Sequence, residues 1–438
     1  MKAEVLTIGD ELLRGEIVDS NKAFLSDRLL GLDIETWYHA SVRDDPDDMI
    51  DAFRRAASRA DVVLVSGGLG PTRDDLTSEV LARTFGRAHV LDEGALETIR
   101  GFFASVGREM TENNASQAWF PEGAEVLENP IGTAPGFLLD VEDTLFFCLP
   151  GVPREMMRMM DEQVLPRIAA RIGERAGGAG GAVRATLLRT FGMGESTLDA
   201  ELADLARDEH VSLGFRTSFP DNYLRPLARG ASEAEASERL AKLCAQIRER
   251  LGHLVYAEGD ETLEAVAGRL LREKGATVAV AESCTGGMIA QKLTDVAGAS
   301  DYVLGGVVAY ANEIKQSQLG VPAELLEKHG AVSEECARAM AEGVRARFGS
   351  TLGIATTGIS GPDGGSAEKP VGLVHLALAS DAGTHADHFV FPLDRTRHRQ
   401  LTTQVALDWI RRAMLGVELA GPTLLRRTGG GSAPGSRR

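Results

Sequence analysis

Two kinds of hydrophobic periodicity alternate along the chain. Short continuous apolar runs at 5–8, 34–40, 61–66 and 145–149 read as strands, the most apolar being Asp61-Val-Val-Leu-Val-Ser66 and Leu145-Phe-Phe-Cys-Leu149. Between them, residues 23–30, 47–60 and a segment from Thr77 repeat apolar positions at helical spacing, the first behind the capping sequence Asp19-Ser20-Asn21. A closing helix is predicted at 154–170. Strands that alternate with helices imply a parallel sheet, whose ligands bind beyond the carboxyl ends of its strands. The loops after Ile8 and Val65 are therefore the first places to look for chemistry.

The glycines of Gly173-Glu-Arg-Ala-Gly-Gly-Ala-Gly-Gly181 make a flexible stretch that marks a domain boundary. A smaller region follows, with strands predicted at 185–191 and 211–217 and helices at 195–208 and 234–251. A further unit opens with a helix at 263–274. It continues through a strand at 277–281, a helix at 286–294, a strand at 303–310, a helix at 334–348, strands at 352–356 and 371–377, and a last helix at 399–415. The whole reads as α/β: a parallel-sheet domain at 1–170, a small α+β connector at 171–257 and a second α/β domain at 258–420. The Gly, Ser, Pro and Arg of the tail at 421–438 cannot bury a core and predict disorder there.

Composition narrows the partners. The chain has 438 residues, 43% of them hydrophobic, and carries 47 Lys plus Arg against 64 Asp plus Glu, a formal charge of -17. That field repels polyanions, and the near balance of acids and bases in the connector gives no basic patch, so nucleic acid is disfavoured as a ligand. Acidic residues flank the first apolar run, which does not fit a secretory leader, and no run is long and apolar enough to span a bilayer. Cys148, Cys244, Cys284 and Cys336 are widely spaced, so neither a disulfide framework nor a thiolate zinc site is indicated. A reducing cytoplasm is the expected compartment.

Ser66-Gly-Gly-Leu-Gly-Pro-Thr-Arg-Asp-Asp-Leu-Thr77 follows a strand and opens a helix, so its backbone N–H groups can converge on an anion. Gly67, Gly68 and Gly70 let a phosphate approach the main chain, and Thr72 adds a hydroxyl. Asp74 and Asp75 would repel that phosphate unless a cation lay between, which points to an oxygen-loving divalent metal, Mg²⁺ foremost. Asp10 and Glu11 supply further acid on the same rim, with Asp10 assigned to the metal beside Asp74 and Asp75. The loop is neither G-x-x-x-x-G-K-[ST] nor G-x-G-x-x-G, which argues against ordinary ATPase and dinucleotide folds.

In the last domain, the predicted strand at 277–281 runs into Glu282-Ser-Cys-Thr-Gly-Gly287 and then a helix, which presents Ser283 with free N–H groups behind it, a setting that suits an oxyanion hole. A serine needs a base, and no histidine lies in this loop and no G-x-S-x-G elbow occurs. The nearest candidate is Gly305-Gly-Val-Val-Ala-Tyr310-Ala-Asn-Glu-Ile-Lys315, whose amine serves once burial lowers its affinity for a proton. Thr357, Gly358 and Ser360 lie at a third strand end, with Lys369 beyond. Cys284 at a helix start is the intrinsically better nucleophile, and spacing alone does not choose between Cys284 and Ser283. His385 and His388 would point to opposite faces of a strand and read as surface residues. Asp394, Arg395 and Arg397 lead the last helix, where the arginines could reach a phosphate across a dimer.

These motifs resemble a known family. Gly15-Glu-Ile-Val-Asp-Ser-Asn21, the loop Ser66 to Thr77, Asn129-Pro-Ile-Gly-Thr-Ala-Pro-Gly-Phe137 and Leu149-Pro-Gly-Val-Pro153 are similar to the molybdopterin-binding fold at the amino terminus of the CinA (competence/damage-inducible) family. Ala281-Glu-Ser-Cys-Thr-Gly-Gly287, Tyr310-Ala-Asn-Glu-Ile-Lys315, His329-Gly-Ala-Val-Ser333 and Gly358-Ile-Ser-Gly-Pro-Asp-Gly-Gly365 resemble that family's carboxyl-terminal nicotinamide-nucleotide amidohydrolase domain. Gly214-Phe-Arg-Thr-Ser-Phe-Pro220 is a loose match to its KH-like connector. The resemblance implies hydrolysis of nicotinamide mononucleotide to nicotinic acid mononucleotide and ammonia without a metal, with Ser283 as nucleophile, Lys315 and Tyr310 assisting, and Cys284, Thr285, Gly286, Thr357, Gly358 and Ser360 around the substrate. It also implies metal-dependent cleavage of ADP-ribose at the first site, where Asp75 matches the family's acidic residue, and assembly as a homodimer. A rival reading is a non-catalytic nucleotide- or pterin-binding adaptor in competence or the DNA-damage response.

Overall fold

A computed structural model describes residues 1–175, 182–206 and 208–422. Most of the glycine-rich boundary stretch, at 176–181, and the tail from 423 onward lie outside the described residues. The chain forms two compact units, Met1–Arg184 with Arg229–Ala236, and Ala185–Ala228 with Ser237 onward.

The first unit is built on a six-stranded sheet in the order Glu35–Val42, Lys2–Ile8, Val62–Ser66, Thr144–Leu149, Gly136–Val141, Glu125–Leu127. The first four strands are parallel, as the alternation of strands and helices predicts. The last two are antiparallel and were not foreseen. The hairpin that joins Gly136–Val141 to Thr144–Leu149 turns on Glu142 and Asp143, both at positive φ, a conformation ordinarily signalled by Asn-Gly rather than by two acids. Both faces of the sheet are covered, which is why its strands read as unbroken apolar runs: Leu6, Val63, Val65 and Phe146 pack with Phe53 and Leu81, while Val5, Leu64, Phe147 and Leu149 pack with Leu25 and Met156. The closing helix is interrupted. Pro153–Met159 passes through a wide turn at Met160–Val164 into Leu165–Arg175, and the wide turn absorbs the hydrogen bond that Pro166 cannot donate.

In the second unit, the strands Val303–Val308, Val278–Glu282 and Leu352–Gly358 are parallel and adjacent, and Leu373–Ser380 and Gly383–Val390 extend the sheet antiparallel. The three parallel strands are the ones that precede the Lys315, Ser283 and Ser360 segments, so all three segments leave the sheet at one edge. The helix Glu334–Phe348 covers one face, and Leu263–Glu273 with Arg395–Leu415 covers the other. The connector residues form a second, antiparallel sheet in the order Val211–Ser218, Asp221–Gly230, Leu188–Thr190, Val255–Glu258, packed on the helix Glu233–Leu251. Asp221–Gly230 was not predicted because Pro226 in its middle reads as a strand breaker. No helix among the described residues is long and apolar enough to cross a membrane.

Candidate active sites

The glycine loop after Val62–Ser66 borders a cleft of about 480 Å³ at the carboxyl edge of the first sheet. Its shape depends on the absence of side chains: a Cβ on Gly67, whose φ is +113°, would stand 2.3 Å from the Ile8 carbonyl oxygen. Asp75 ties the loop together, because its Oδ2 accepts from the Thr72 N–H at 2.8 Å and the Thr72 hydroxyl at 2.6 Å. Gly67, Gly68, Gly70, Thr72, Asp74 and Asp75 all line the cleft.

Asp10 is the exception among the predicted residues. Its carboxylate pairs with Arg14 at 2.7 Å and Arg43 at 3.6 Å, and its contribution to this rim is a backbone N–H donated to Asp44 Oδ2 at 2.9 Å. Glu11, Asp44 and Glu155 line the cleft instead. Burial raises the pKa of Asp44 and the charges of Glu11, Asp10 and Asp74 raise it further, against the Asp10 N–H, which lowers it. This crowding of carboxylates is what a hard cation relieves. Among the described residues no group of three or more His, Cys, Asp or Glu side chains is placed to hold a metal ion by itself. An open set of carboxylates beside a phosphate-sized cleft is how Mg²⁺ is ordinarily held, with waters and substrate oxygens completing its shell.

In the second unit Ser283 follows the strand Val278–Glu282, and Lys315 lies in the helix Asn312–Leu319. Lys315 Nζ is 3.3 Å from Ser283 Oγ, 2.7 Å from the Ala309 carbonyl oxygen and 3.1 Å from that of Tyr310. Lys315 is only 1% exposed. Burial lowers its pKa, and the nearby Cys336, Cys284, Glu313 and Tyr310 act in the opposite sense. A neutral amine that gives its two N–H bonds to the two carbonyls turns its lone pair to the serine hydroxyl, which is the arrangement a general base requires. Burial pushes the Cys284 thiol up to about 12, so the thiolate that would make it the better nucleophile is suppressed.

The helix behind Ser283 is not free, contrary to the sequence reading. Met288–Thr294 starts five residues later, and the N–H groups of Gly287, Ile289 and Ala290 donate to the buried Glu282 carboxylate at 2.9, 3.1 and 2.8 Å. The N–H groups of Thr285 and Gly286 make no hydrogen bond among the described residues, and that of Cys284 meets its own thiol. They belong to a turn that ends in two left-handed glycines, Gly286 at φ +61° and Gly287 at +95°, a backbone concavity suited to an anion.

Family models match most of the chain: "Probable molybdopterin binding domain" over residues 4–170, "Damage-inducible protein CinA KH domain" over 185–257 and "CinA C-terminal domain" over 260–414. The CinA-like protein of Geobacter sulfurreducens is 45% identical over 416 residues, 95% of this chain and 100% of its own. The CinA-like protein of Dictyoglomus thermophilum is 40% identical over 418 residues, again 95% and 100%. The chain belongs to the CinA family. A crystal structure of a competence/damage inducible protein from Agrobacterium tumefaciens, 43% identical, covers 35% of this CinA-family chain and 95% of its own, with a TM-score of 0.33.

Other predicted residues of the CinA carboxyl-terminal domain take varied positions. The Tyr310 ring is 63% exposed, and its hydroxyl meets Arg395 Nη2 at 3.2 Å rather than the serine; its tie to Lys315 runs through its carbonyl. Thr285 and Thr356 share a hydroxyl contact of 2.8 Å, and Thr357 donates to the Ala331 carbonyl at 2.7 Å. Gly358 packs edge to edge with Leu373, whose carbonyl leaves no room for a Cβ. Ser360 Oγ lies 2.9 Å from Nδ1 of the buried His398, whose Nε2 meets the Gly372 carbonyl at 3.1 Å. Lys369 donates to the His329 carbonyl at 2.7 Å. His385 packs on Trp409 and His388 on His375, so the two histidines do face apart.

Glu282, His398 and Arg399 were missed. Arg399 donates to the Thr285 carbonyl at 3.2 and 2.8 Å, beside the serine turn. It stands one helical turn beyond Arg395, a spacing that places both guanidinium groups on one side of the last helix. Asp44 and Glu155 were also legible in principle, since Asp44 lies in the loop just after the parallel strand Glu35–Val42 and Glu155 in the first turn of the helix Pro153–Met159 that follows the parallel strand Thr144–Leu149.

Proposed function

We propose that this CinA-family chain is a hydrolase that deamidates nicotinamide mononucleotide at the Ser283 site and cleaves the pyrophosphate of ADP-ribose at the glycine-loop cleft. The observation that carries the first activity is the buried Lys315 amine 3.3 Å from Ser283 Oγ, held by two carbonyl oxygens. In this reading Lys315 takes the serine proton as Oγ attacks the amide carbon. The N–H groups of residues 284–286 stabilise the resulting oxyanion. The carbon–nitrogen bond then breaks, and Lys315 returns the proton to the departing ammonia. Water, deprotonated by the same amine, hydrolyses the acyl-serine to nicotinic acid mononucleotide and restores Ser283. Arg395 and Arg399 provide the positive charge near the turn that favours a phosphorylated amide over an uncharged one.

At the first site, the glycine-loop backbone and Thr72 would bind the diphosphate, and a pair of carboxylates drawn from Glu11, Asp44, Asp74 and Asp75 would hold the divalent metal, with water and substrate oxygens completing its shell. Bound there, the metal would neutralise phosphate charge and polarise the bond to be cleaved. Product analysis of the purified chain with both nucleotides, with and without EDTA, tests both assignments. Ammonia release that persists in EDTA, together with ADP-ribose cleavage that EDTA abolishes, is expected. Absence of both products would leave the non-catalytic adaptor as the better reading.

A further inference from the structure

The helix Ser20–Leu30 carries a polar residue where helical spacing would bury an apolar one. Its buried residues are Asn21, Leu25 and Leu29, at i, i+4 and i+8, and the two leucines pack against Val5 and Leu64 of the first sheet. The start of this helix is fixed from two directions. Asp19 caps it by accepting the Lys22 N–H at 3.2 Å, and Asp19 Oδ2 accepts the Thr7 hydroxyl, near the end of the first strand, at 2.7 Å. The Asn21 amide, on a residue only 9% exposed, is thereby brought to the carboxyl edge of the sheet. There its Nδ2 donates to Ser66 Oγ at 3.0 Å and to the Gly151 carbonyl at 2.8 Å, and Ser66 Oγ donates in turn to the Pro150 carbonyl at 3.1 Å.

These bonds join two loops that build the cleft. Gly67 and Gly68 follow Ser66 directly, while Pro150, Gly151 and Val152 line the same cleft from the second loop, and a Cβ on Gly151 would stand 3.5 Å from Gly67 Cα. Asn21 lies behind this wall rather than in it. The other end of its amide is left over: Oδ1 is buried, and no donor among the described residues reaches it. A buried acceptor without a donor lowers stability, and an apolar side chain of the same shape would recover the loss. A residue kept at such a cost is held by function, and what this amide does is tie the two loops together. We propose that Asn21 is a positioning residue of the amino-terminal site, whose amide sets the separation of the glycine loop and the Pro150 loop and so the width of the gap that takes the diphosphate. The proposal rests on the pyrophosphatase reading of that site.

Asn21→Leu in the full chain tests it, because leucine keeps the size of the side chain and removes both the donor and the unpaired acceptor. Ser66 retains the Pro150 carbonyl as its partner, and Gly151 is exposed, so water can take its carbonyl. The thermal midpoint is expected at or above that of the wild type. At the same time kcat/KM for ADP-ribose with Mg²⁺ should fall at least ~10-fold, and calorimetry with Mg²⁺ and inorganic pyrophosphate should show a similar loss of affinity. Asn21→Asp is the conservative partner: its carboxyl donates only when protonated, so its deficit in kcat/KM against the wild type should shrink as the pH falls, which lost packing would not produce. Wild-type turnover and pyrophosphate affinity in Asn21→Leu overturn the clamp and leave the pyrophosphatase reading standing. So does a deficit that follows a lowered midpoint and is the same at every pH in Asn21→Asp. A wild type that binds pyrophosphate without cleaving ADP-ribose removes the pyrophosphatase reading and leaves the clamp to the affinity ratio; one that does neither removes both.

Discussion

Replacing Asp221 by Asn isolates the energetic cost of one buried carboxylate. Asp221 is 9% exposed at the start of the strand Asp221–Gly230, where its oxygens accept the Tyr256 hydroxyl at 3.0 Å and the Gln404 amide at 2.7 Å. Burial nonetheless dominates those two bonds and the attraction of Arg189, and the pKa rises from 3.8 to about 6. Because the folded state binds this proton more tightly than the unfolded chain, the contribution to stability is fully present below pH 3.8 and is lost as the pH rises to about 6. The loss is the pKa difference times 1.36 kcal/mol, or about 3 kcal/mol above pH 7.

Asn keeps the acceptor for Gln404, and its amide can donate to the Tyr256 oxygen once that hydroxyl rotates, so Asp221→Asn should lose little packing. The variant is therefore expected to be more stable than the wild type by about 3 kcal/mol at pH 8, with the advantage gone near pH 4. Urea unfolding at several pH values, followed by the fluorescence of the buried Trp409 in a Trp37→Phe, Trp119→Phe background, reads the difference within the same unit. A difference that does not vary with pH, or a wild type more stable than the variant at pH 8, would show that the two hydrogen bonds outweigh desolvation.

Four further outcomes test the sites. Ser283→Ala should lower the kcat of ammonia release at least ~100-fold while Cys284→Ala stays near wild type, and the reverse pattern would transfer the nucleophile to the thiol. Wild-type kcat/KM should rise with pH and level off below 10.5, the ordinary lysine value, because burial lowers the pKa of Lys315; Lys315→Met should lack this limb and lose about 10²–10⁴-fold in rate. Glu282→Gln sets an amide N–H donor among three backbone donors, so thermal unfolding should show a loss of about 1–3 kcal/mol and assays a lower kcat. Asp44→Asn should raise the Mg²⁺ concentration needed for ADP-ribose hydrolysis, whereas Asp10→Asn should not, and an equal requirement in both would restore Asp10 to the metal set.

The local code was legible wherever it is short-ranged. The runs Asp61 to Ser66 and Leu145 to Leu149 are strands because uninterrupted apolar sequence can only be a segment buried on both faces, and the Asp19 side chain caps Ser20–Leu30 by accepting the Lys22 N–H at 3.2 Å. Gly67 and Gly70 mark a loop where no side chain fits, and glycine is the residue that records such a constraint in sequence. The alternation of the parallel strands with helices, and with it the edge at which the serine, lysine and glycine-loop segments emerge, followed from the chain alone, whereas the antiparallel strands Glu125–Leu127, Gly136–Val141, Asp221–Gly230 and Gly383–Val390 did not.

What the sequence did not contain is direction in space. Asp10 and Asp44 are both acids after parallel strands, yet one turns to Arg14, four residues on, and to Arg43 from the neighbouring strand's end, and the other into the cleft. Likewise Glu282 reads as a neighbour of the nucleophile, and only the fold bends its carboxylate onto the next helix and takes up N–H groups that the sequence left open. The amine of Lys315 and the thiol of Cys284 are shifted by burial, and burial is a property of the packed sheet and helices rather than of any window of residues. Residue types and spacing determined which chemical groups this protein possesses; tertiary structure decided which of them meet and in what protonation state, because distances and desolvation exist only once the chain has closed on itself.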